Sequence, residues 1–158
     1  MSETAASAPT VINGEVELRE RAGTDLGTSR WVEVTQDRIT TFAQLSGDEQ
    51  WIHVDPERAK DGPFGTTVQH GFLTLSMSTG LLWEICVVEG FNVILNYGLN
   101  KVRFPLPLKT GSRMRMHVNL AEVNDVKGGI ETVYRLTYEV EGEDKPCCVA
   151  DLVFRYYN

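Results

Sequence analysis

Asp48, Gln50 and His53 fall within six residues of one another in the run Ser46-Gly47-Asp48-Glu49-Gln50-Trp51-Ile52-His53. A carboxylate accepts a proton, an imidazole titrates near neutrality, and an amide both donates and accepts without changing charge. Around one small volume these groups can hold a water molecule and move protons to and from it, which is the chemistry of water addition or elimination. The same run also reads as a turn ending a helix, with Asp48 capping backbone amides and His53 on the surface. In an extended segment Asp48 and Gln50 face one side and His53 the other, so a site requires the chain to turn around Trp51-Ile52.

A second place for chemistry is Gln69-His70-Gly71, at the head of a long apolar stretch. Unpaired backbone N–H groups and the positive end of the helix dipole gather at a helix start. Gly71 has no side chain, so a carbonyl oxygen can approach its amide closely. A donor so placed stabilises the negative charge that develops on a thioester oxygen, by about 3 kcal/mol. Tight packing of helix on sheet accounts for Gly71 as well, and His70 also reads as a polar residue closing off the helix start.

The elements that must position these residues are marked in the sequence. Thr35-Gln36-Asp37 opens a helix with an N-cap threonine and an acid in the first turn. Ile39, Phe42, Ala43 and Leu45 continue it, and Gly47 is a fitting stop. Asp55-Pro56 starts a short second helix, with Asp as cap and Pro at the first helical position. Asp61 to Gly65 reads as a turn or irregular loop. Gly71 to Val88 reads as one long helix, apolar over most of its circumference and therefore buried on several sides. From Phe91 onward the period becomes two. Met114, Met116, Val118 and Leu120 alternate with polar residues, as do Tyr134, Leu136, Tyr138 and Val140. Val93 to Phe104 and Cys147 to Tyr157 are further strands, with hairpin connections at Asp125–Gly129 and Glu141–Asp144. Helices followed by an antiparallel meander make an α+β domain.

Composition narrows the function classes. The chain has 158 residues, 42% apolar and 23% charged, which suits one soluble domain with a single core. No apolar run approaches the roughly 18 residues of a membrane span, so no membrane partner is expected. The start of the chain lacks the positive charge and apolar core of a secretory signal, and residues 1–15 read as a flexible tail before a domain at 16–158. Cys86, Cys147 and Cys148 form an odd set without metal-ligand spacing, which suggests small buried thiols in a reducing cytoplasm. A net charge of −7 disfavours nucleic acid. Between Gly90 and Ala121, however, there is no acid, while Lys101, Arg103, Lys109, Arg113 and Arg115 fall inside that stretch. Such a strip can attract a phosphorylated ligand, or can be ordinary solvated strand charge.

Several blocks, taken in order over roughly residues 30–157, resemble the MaoC-like dehydratases, the R-specific enoyl-CoA hydratases. They are Phe42-Ala43-x-x-Ser46-Gly47-Asp48-x-Gln50-Trp51-Ile52-His53-Val54-Asp55-Pro56-Glu57-Arg58-Ala59, then Gly62-Pro63-Phe64-Gly65, His70-Gly71-Phe72-Leu73-Thr74-Leu75, and Asn96-Tyr97-Gly98-Leu99-Asn100-Lys101-Val102-Arg103-Phe104-Pro105. The resemblance is strongest to the single-domain branch related to nodulation protein N. It implies a hotdog fold, a curved antiparallel sheet around a long central helix, paired as a homodimer. It places the water-holding and water-activating roles on Asp48 and His53 and the thioester-binding amide on Gly71. The family's Asn-Pro falls on Gln50-Trp51, a departure at the water- or substrate-positioning residue. Tyr97 and Arg103 match pattern positions and otherwise read as strand packing and a surface ion pair.

The implied reaction is the reversible, syn addition of water to a trans-2-enoyl thioester, giving an R-3-hydroxyacyl thioester of coenzyme A or an acyl carrier protein. No cofactor and no metal is implied. Two rivals stand beside it. One is a hotdog thioesterase, in which a carboxylate directs water at the carbonyl. The other is a non-catalytic acyl-thioester-binding dimer partner.

Overall fold

A computed structural model describes residues 8–158. The first element is a strand, β1 (Thr10–Asn13), followed by a short helix, α1 (Gly14–Glu20), and two short strands, β2 (Thr24–Thr28) and β3 (Val32–Glu33). The helix expected after Thr35 is α2 (Gln36–Ser46). Its start is capped by the Thr35 hydroxyl, which accepts from the Arg38 amide at 3.4 Å, and Gly47 ends it in the left-handed conformation with φ 77°. A single turn, α3 (Trp51–Val54), carries His53, and α4 (Pro56–Lys60) begins with Asp55 accepting from the Arg58 amide. The Trp51 ring packs against Gly62, where a Cβ would stand 3.0 Å from the indole.

The apolar stretch differs from the single helix expected over Gly71 to Val88. It forms α5 (Gly71–Ser76) and α6 (Ser78–Ile85), joined at Met77. There the Met77 amide bonds back only three residues, to Thr74, and the Ser76 hydroxyl donates to the Leu73 carbonyl at 2.7 Å. A tightened step beside a hydroxyl bonded to the helix's own backbone is a recognised cause of a break. The helix also stops short, because Cys86 is extended and opens β4 (Cys86–Glu89). Two β-branched residues, Val87 and Val88, favour that conformation. β4 pairs in parallel with β1, Ile12 facing Val88 in register. The expected flexible tail over 1–15 is therefore corrected from Thr10 onward, since Ile12 is fully buried. Residues 1–7 of that tail lie outside the described residues.

The rest of the chain is the sheet: β5 (Val93–Arg103), β6 (Arg113–Val126), β7 (Gly129–Val140) and β8 (Cys148–Tyr157). These strands, with β2, run in the order β2-β6-β7-β8-β5, and β3 adds to β6. β6, β7 and β8 form the expected meander, turning at Gly128 and Gly142, both at positive φ. β5 crosses over to the far side of β8. Register shifts in β2, β5 and β6 help the sheet to curve. Leu75, Leu81, Leu82 and Ile85 of the central helix pair bury against Met114, Met116, Leu136 and Tyr138 of the concave face. Each such side chain contributes about 1.5–3 kcal/mol by leaving water. The core thus anchors α5 so that its start, and the residue before it, face the α2–α3 turn.

Candidate active site

α3 supplies the turn that the spacing of Asp48 and His53 required. The His53 amide bonds the Gln50 carbonyl at 2.9 Å, which closes the chain around Trp51-Ile52 and sends the imidazole inward, where the residue is only 8% exposed. Gln36 of α2 ties this turn down. Its amide donates to the His53 carbonyl at 2.7 Å and its oxygen accepts from the Thr67 hydroxyl at 2.6 Å. The 67–69 segment runs alongside, with the Val68 amide on the Ile52 carbonyl and the Gln69 amide on the Leu108 carbonyl.

The His53 ring lies against that segment, with Nδ1 2.6 Å from the Val68 carbonyl oxygen. A carbonyl only accepts, so Nδ1 carries the hydrogen and Nε2 of the neutral ring holds a free lone pair. Burial pushes this imidazole below its ordinary value of 6.5, and the neighbouring His70 adds to the effect. The Val68 carbonyl and the Asp48 carboxylate pull the other way. The His53 ring is thus neutral at physiological pH, with Nε2 unprotonated.

Asp48 sits just past the Gly47 stop, its side chain 57% exposed. Between it and His53 lies a third group, His70, whose Nε2 is 2.9 Å from the Asp48 main-chain carbonyl and 4.0 Å from the carboxylate. The His70 ring stacks on His53 at 3.7 Å between centroids and meets Phe42 on α2 at 5.1 Å. One side-chain atom from each of Asp48, His53 and His70 falls inside a 4.8 Å cluster. His53 Nδ1 and His70 Nε2 are spent on carbonyls, so the nitrogens left without a partner are His53 Nε2 and His70 Nδ1.

Gly71 opens α5 one residue beyond His70. The space beside its Cα is taken by the Phe104 ring, which an added Cβ would meet at 2.8 Å. The packing reading of Gly71 is therefore realised, and its first-turn amide still has no partner within the helix. Gln50 is exposed and makes no capping bond through its side chain, so the structure ties it to the site only through its carbonyl. Arg58 lies over the Trp51 ring at 4.4 Å, Arg155 stacks on Tyr97, and Arg103 donates to its neighbour's carbonyl. Arg113 and Arg115 of the acid-free stretch are paired across the sheet with Glu141 and Glu139. His70 is the member of the cluster whose direction spacing did not reveal. The signal was a polar imidazole beside an apolar helix, which when buried needs a polar partner.

A curved antiparallel sheet wrapped around a central helix defines the hotdog class. Solved structures agree on the fold. A monoamine oxidase regulatory protein from Archaeoglobus fulgius is similar with TM-score 0.73 at 22% identity, covering 97% of this chain and 98% of that one. An (R)-hydratase from A. caviae involved in PHA biosynthesis is similar with TM-score 0.69 at 20% identity, covering 84% and 94%. The model of the MaoC like domain matches residues 17–142. The chain belongs to the MaoC-like family. Among relatives, 3-hydroxyacyl-thioester dehydratase Z of Mycobacterium tuberculosis is 48% identical over 141 residues, 89% of this chain and 93% of that protein. Nodulation protein N of Rhizobium leguminosarum bv. viciae is 40% identical over 141 residues, 87% of each.

Proposed function

We propose that the protein is a hydro-lyase that adds water, reversibly and syn, to a trans-2-enoyl thioester of coenzyme A or an acyl carrier protein, giving an R-3-hydroxyacyl thioester. The observation that carries this is the convergence of Asp48 and a neutral, inward-turned His53 within one 4.8 Å cluster beside the Gly71 helix start. The 48% identity to a protein named as a 3-hydroxyacyl-thioester dehydratase supports it.

The residues take these roles. The Gly71 amide donates to the thioester oxygen and draws the double bond toward an enolate. The Asp48 carboxylate and His53 Nε2 hold water over the β-carbon. Nε2 accepts one proton as the hydroxyl adds, and the pair returns a proton to the α-carbon on the same face, regenerating the starting state. General acid–base work of this kind supplies about 10²–10⁴-fold. Asp48 also stabilises the transient imidazolium. Gln50, at the mouth of the site, positions water or substrate. Lys101, Arg103 and Lys109 form no ion pair among the described residues and offer a cationic contact for the carrier's phosphates.

The functional unit is a homodimer of one-domain chains, each domain taking in β1 as well as residues 16–158. Edge strand β5 exposes Val93, Ile94, Leu95 and Leu99 beside Phe104 and Phe72. An apolar edge of that length is covered in a stable protein. Three buried, unpaired thiols suit a cytoplasmic setting, and no helix among the described residues is long and apolar enough to cross a membrane.

The test is incubation with crotonyl-CoA. Loss of the conjugated enoyl absorbance without free thiol, and an R product, is the expected result. Release of free thiol identifies a thioesterase instead, and no change in either signal identifies a binding partner.

A further inference from the structure

The proposed chemistry uses one of two stacked imidazoles. The other, His70, is the more deeply buried, at 3% exposure, and its bonds run to the machinery rather than to solvent. Its Nε2 can bond the Asp48 carbonyl only by donating, so the hydrogen sits on Nε2. Nδ1 is then an acceptor, and it is buried with no partner. Leaving a buried polar atom unsatisfied costs stability, so the ring is held where it is at an expense that packing alone does not explain.

Resting on the hydratase reading of this site, we propose that His70 is a positioning residue for the reaction. Its Nε2–H fixes the main chain of Asp48, and its ring face fixes the plane of the His53 ring, so that carboxylate and Nε2 converge on one water. Three contacts make this geometry directional. Phe42 backs the ring from α2, the Asp48 carbonyl anchors one edge, and His53 lies flat against the inner face. Because His70 immediately precedes Gly71, and its own carbonyl accepts from the Thr74 amide at 3.2 Å, the same residue couples the water-holding pair to the start of α5. The proton donor set and the thioester amide are thereby set at one fixed distance through a single residue.

The titratable groups facing His53 are Asp48, from the loop after α2, and His70, from the segment before α5; Gln36 and Val68, which bond it from the remaining sides, are uncharged. Removing His70 therefore changes the acid limb of the rate profile as well as its height.

Two measurements test this. Long-range 1H–15N spectra of the unmodified protein report imidazole tautomers whatever reaction it catalyses. The expected pattern is Nδ1–H on His53 and Nε2–H on His70, and an Nδ1–H tautomer at His70 overturns the proposal. Steady-state hydration of crotonyl-CoA by H70A is expected to lose about 10²-fold in kcat with little change in KM, as a displaced dyad would. H70Q keeps an N–H in reach of the Asp48 carbonyl and is expected to recover to within about tenfold of the unmodified enzyme. Its acid limb should nonetheless move to higher pH, since the neighbour that helps hold His53 low is gone. Equal kcat in H70A and the unmodified enzyme, or H70Q no better than H70A, overturns the proposal. Failure of the unmodified protein to hydrate the substrate counts against the reaction, and the tautomers still decide the role of His70.

Discussion

The two ends of the central helix pair both carry buried polar groups, yet the proposed chemistry lies at only one of them. At the start of α5, His53 bonds outward to a backbone carbonyl and so keeps a lone pair facing Asp48. At the end of α6 lies a cavity of about 420 Å³, lined by Leu82, Trp83, Cys86, Ile94, Tyr134 and Tyr156 among others. There the two tyrosine hydroxyls bond each other at 2.7 Å. Burial pushes the Tyr156 hydroxyl up to about 12 and the Cys86 thiol up to about 11, so both stay protonated at neutral pH. Desolvation acts at both ends. What differs is how hydrogen bonds are allotted: a pair that satisfies itself is closed, whereas a ring satisfied by backbone on one nitrogen leaves the other for chemistry.

The sharpest way to break that contrast is to remove the reactive pair. D48N and H53A are each expected to lower kcat for crotonyl-CoA hydration by about 10³-fold, while melting close to the unmodified protein. Retention of kcat within about tenfold in either would place the reactive centre elsewhere. Next in size is G71A, whose added methyl must displace the Phe104 ring. A loss of about 10–10²-fold in kcat/KM is expected, of the order of one misplaced oxyanion donor. Combining it with F104A separates space from hydrogen bonding, because recovery in the double variant assigns the loss to crowding.

A smaller effect belongs to pH. The folded-state value of His53 lies below the ordinary 6.5, so between the two the unfolded chain binds more protons than the folded one. The stability from a neutral His53 is present above pH 6.5 and is lost as pH falls below it through the folded-state value. Denaturant melts across pH 7 to 5 should therefore show a falling midpoint that is absent in H53Q, and the acid limb of kcat/KM should lie below 6.5. At the α6 end, Y134F should leave kcat within about twofold and cost about 1 kcal/mol of stability from the lost hydroxyl pair. A fall in activity there would show that the distal cavity communicates with the site. The least change is expected from thiol reagents, which should label Cys86, Cys147 and Cys148 only on unfolding, since burial holds all three thiols high.

Local signals explain what sequence revealed. The Thr35 cap, the Gly47 stop, the Asp55-Pro56 start and the alternation in β6 and β7 are decided by neighbours along the chain, and all appear as read. β1, β2 and β3 left no such trace, being short and largely polar, and stabilised by partners far away in sequence. The break at Met77 depends on one hydroxyl choosing the helix backbone, which a hydrophobic pattern does not encode. In the site, spacing alone brought Asp48 and His53 to attention. Where the His70 ring points is settled by Phe42 and the Asp48 turn, groups more than twenty residues earlier, as the 22-residue separation of His70 from Asp48 illustrates.

The parallel pairing of β1 with β4 has a consequence for synthesis. A chain made from its N-terminus presents Thr10–Asn13 early, but their partners, Cys86–Glu89, follow only after α2 to α6 have been made. Over that interval Ile12, destined for complete burial, is an exposed apolar side chain on a growing polypeptide. The Thr10–Asn13 segment thus waits undocked until Glu89 has been made, and a nascent chain arrested before that point keeps Ile12 exposed.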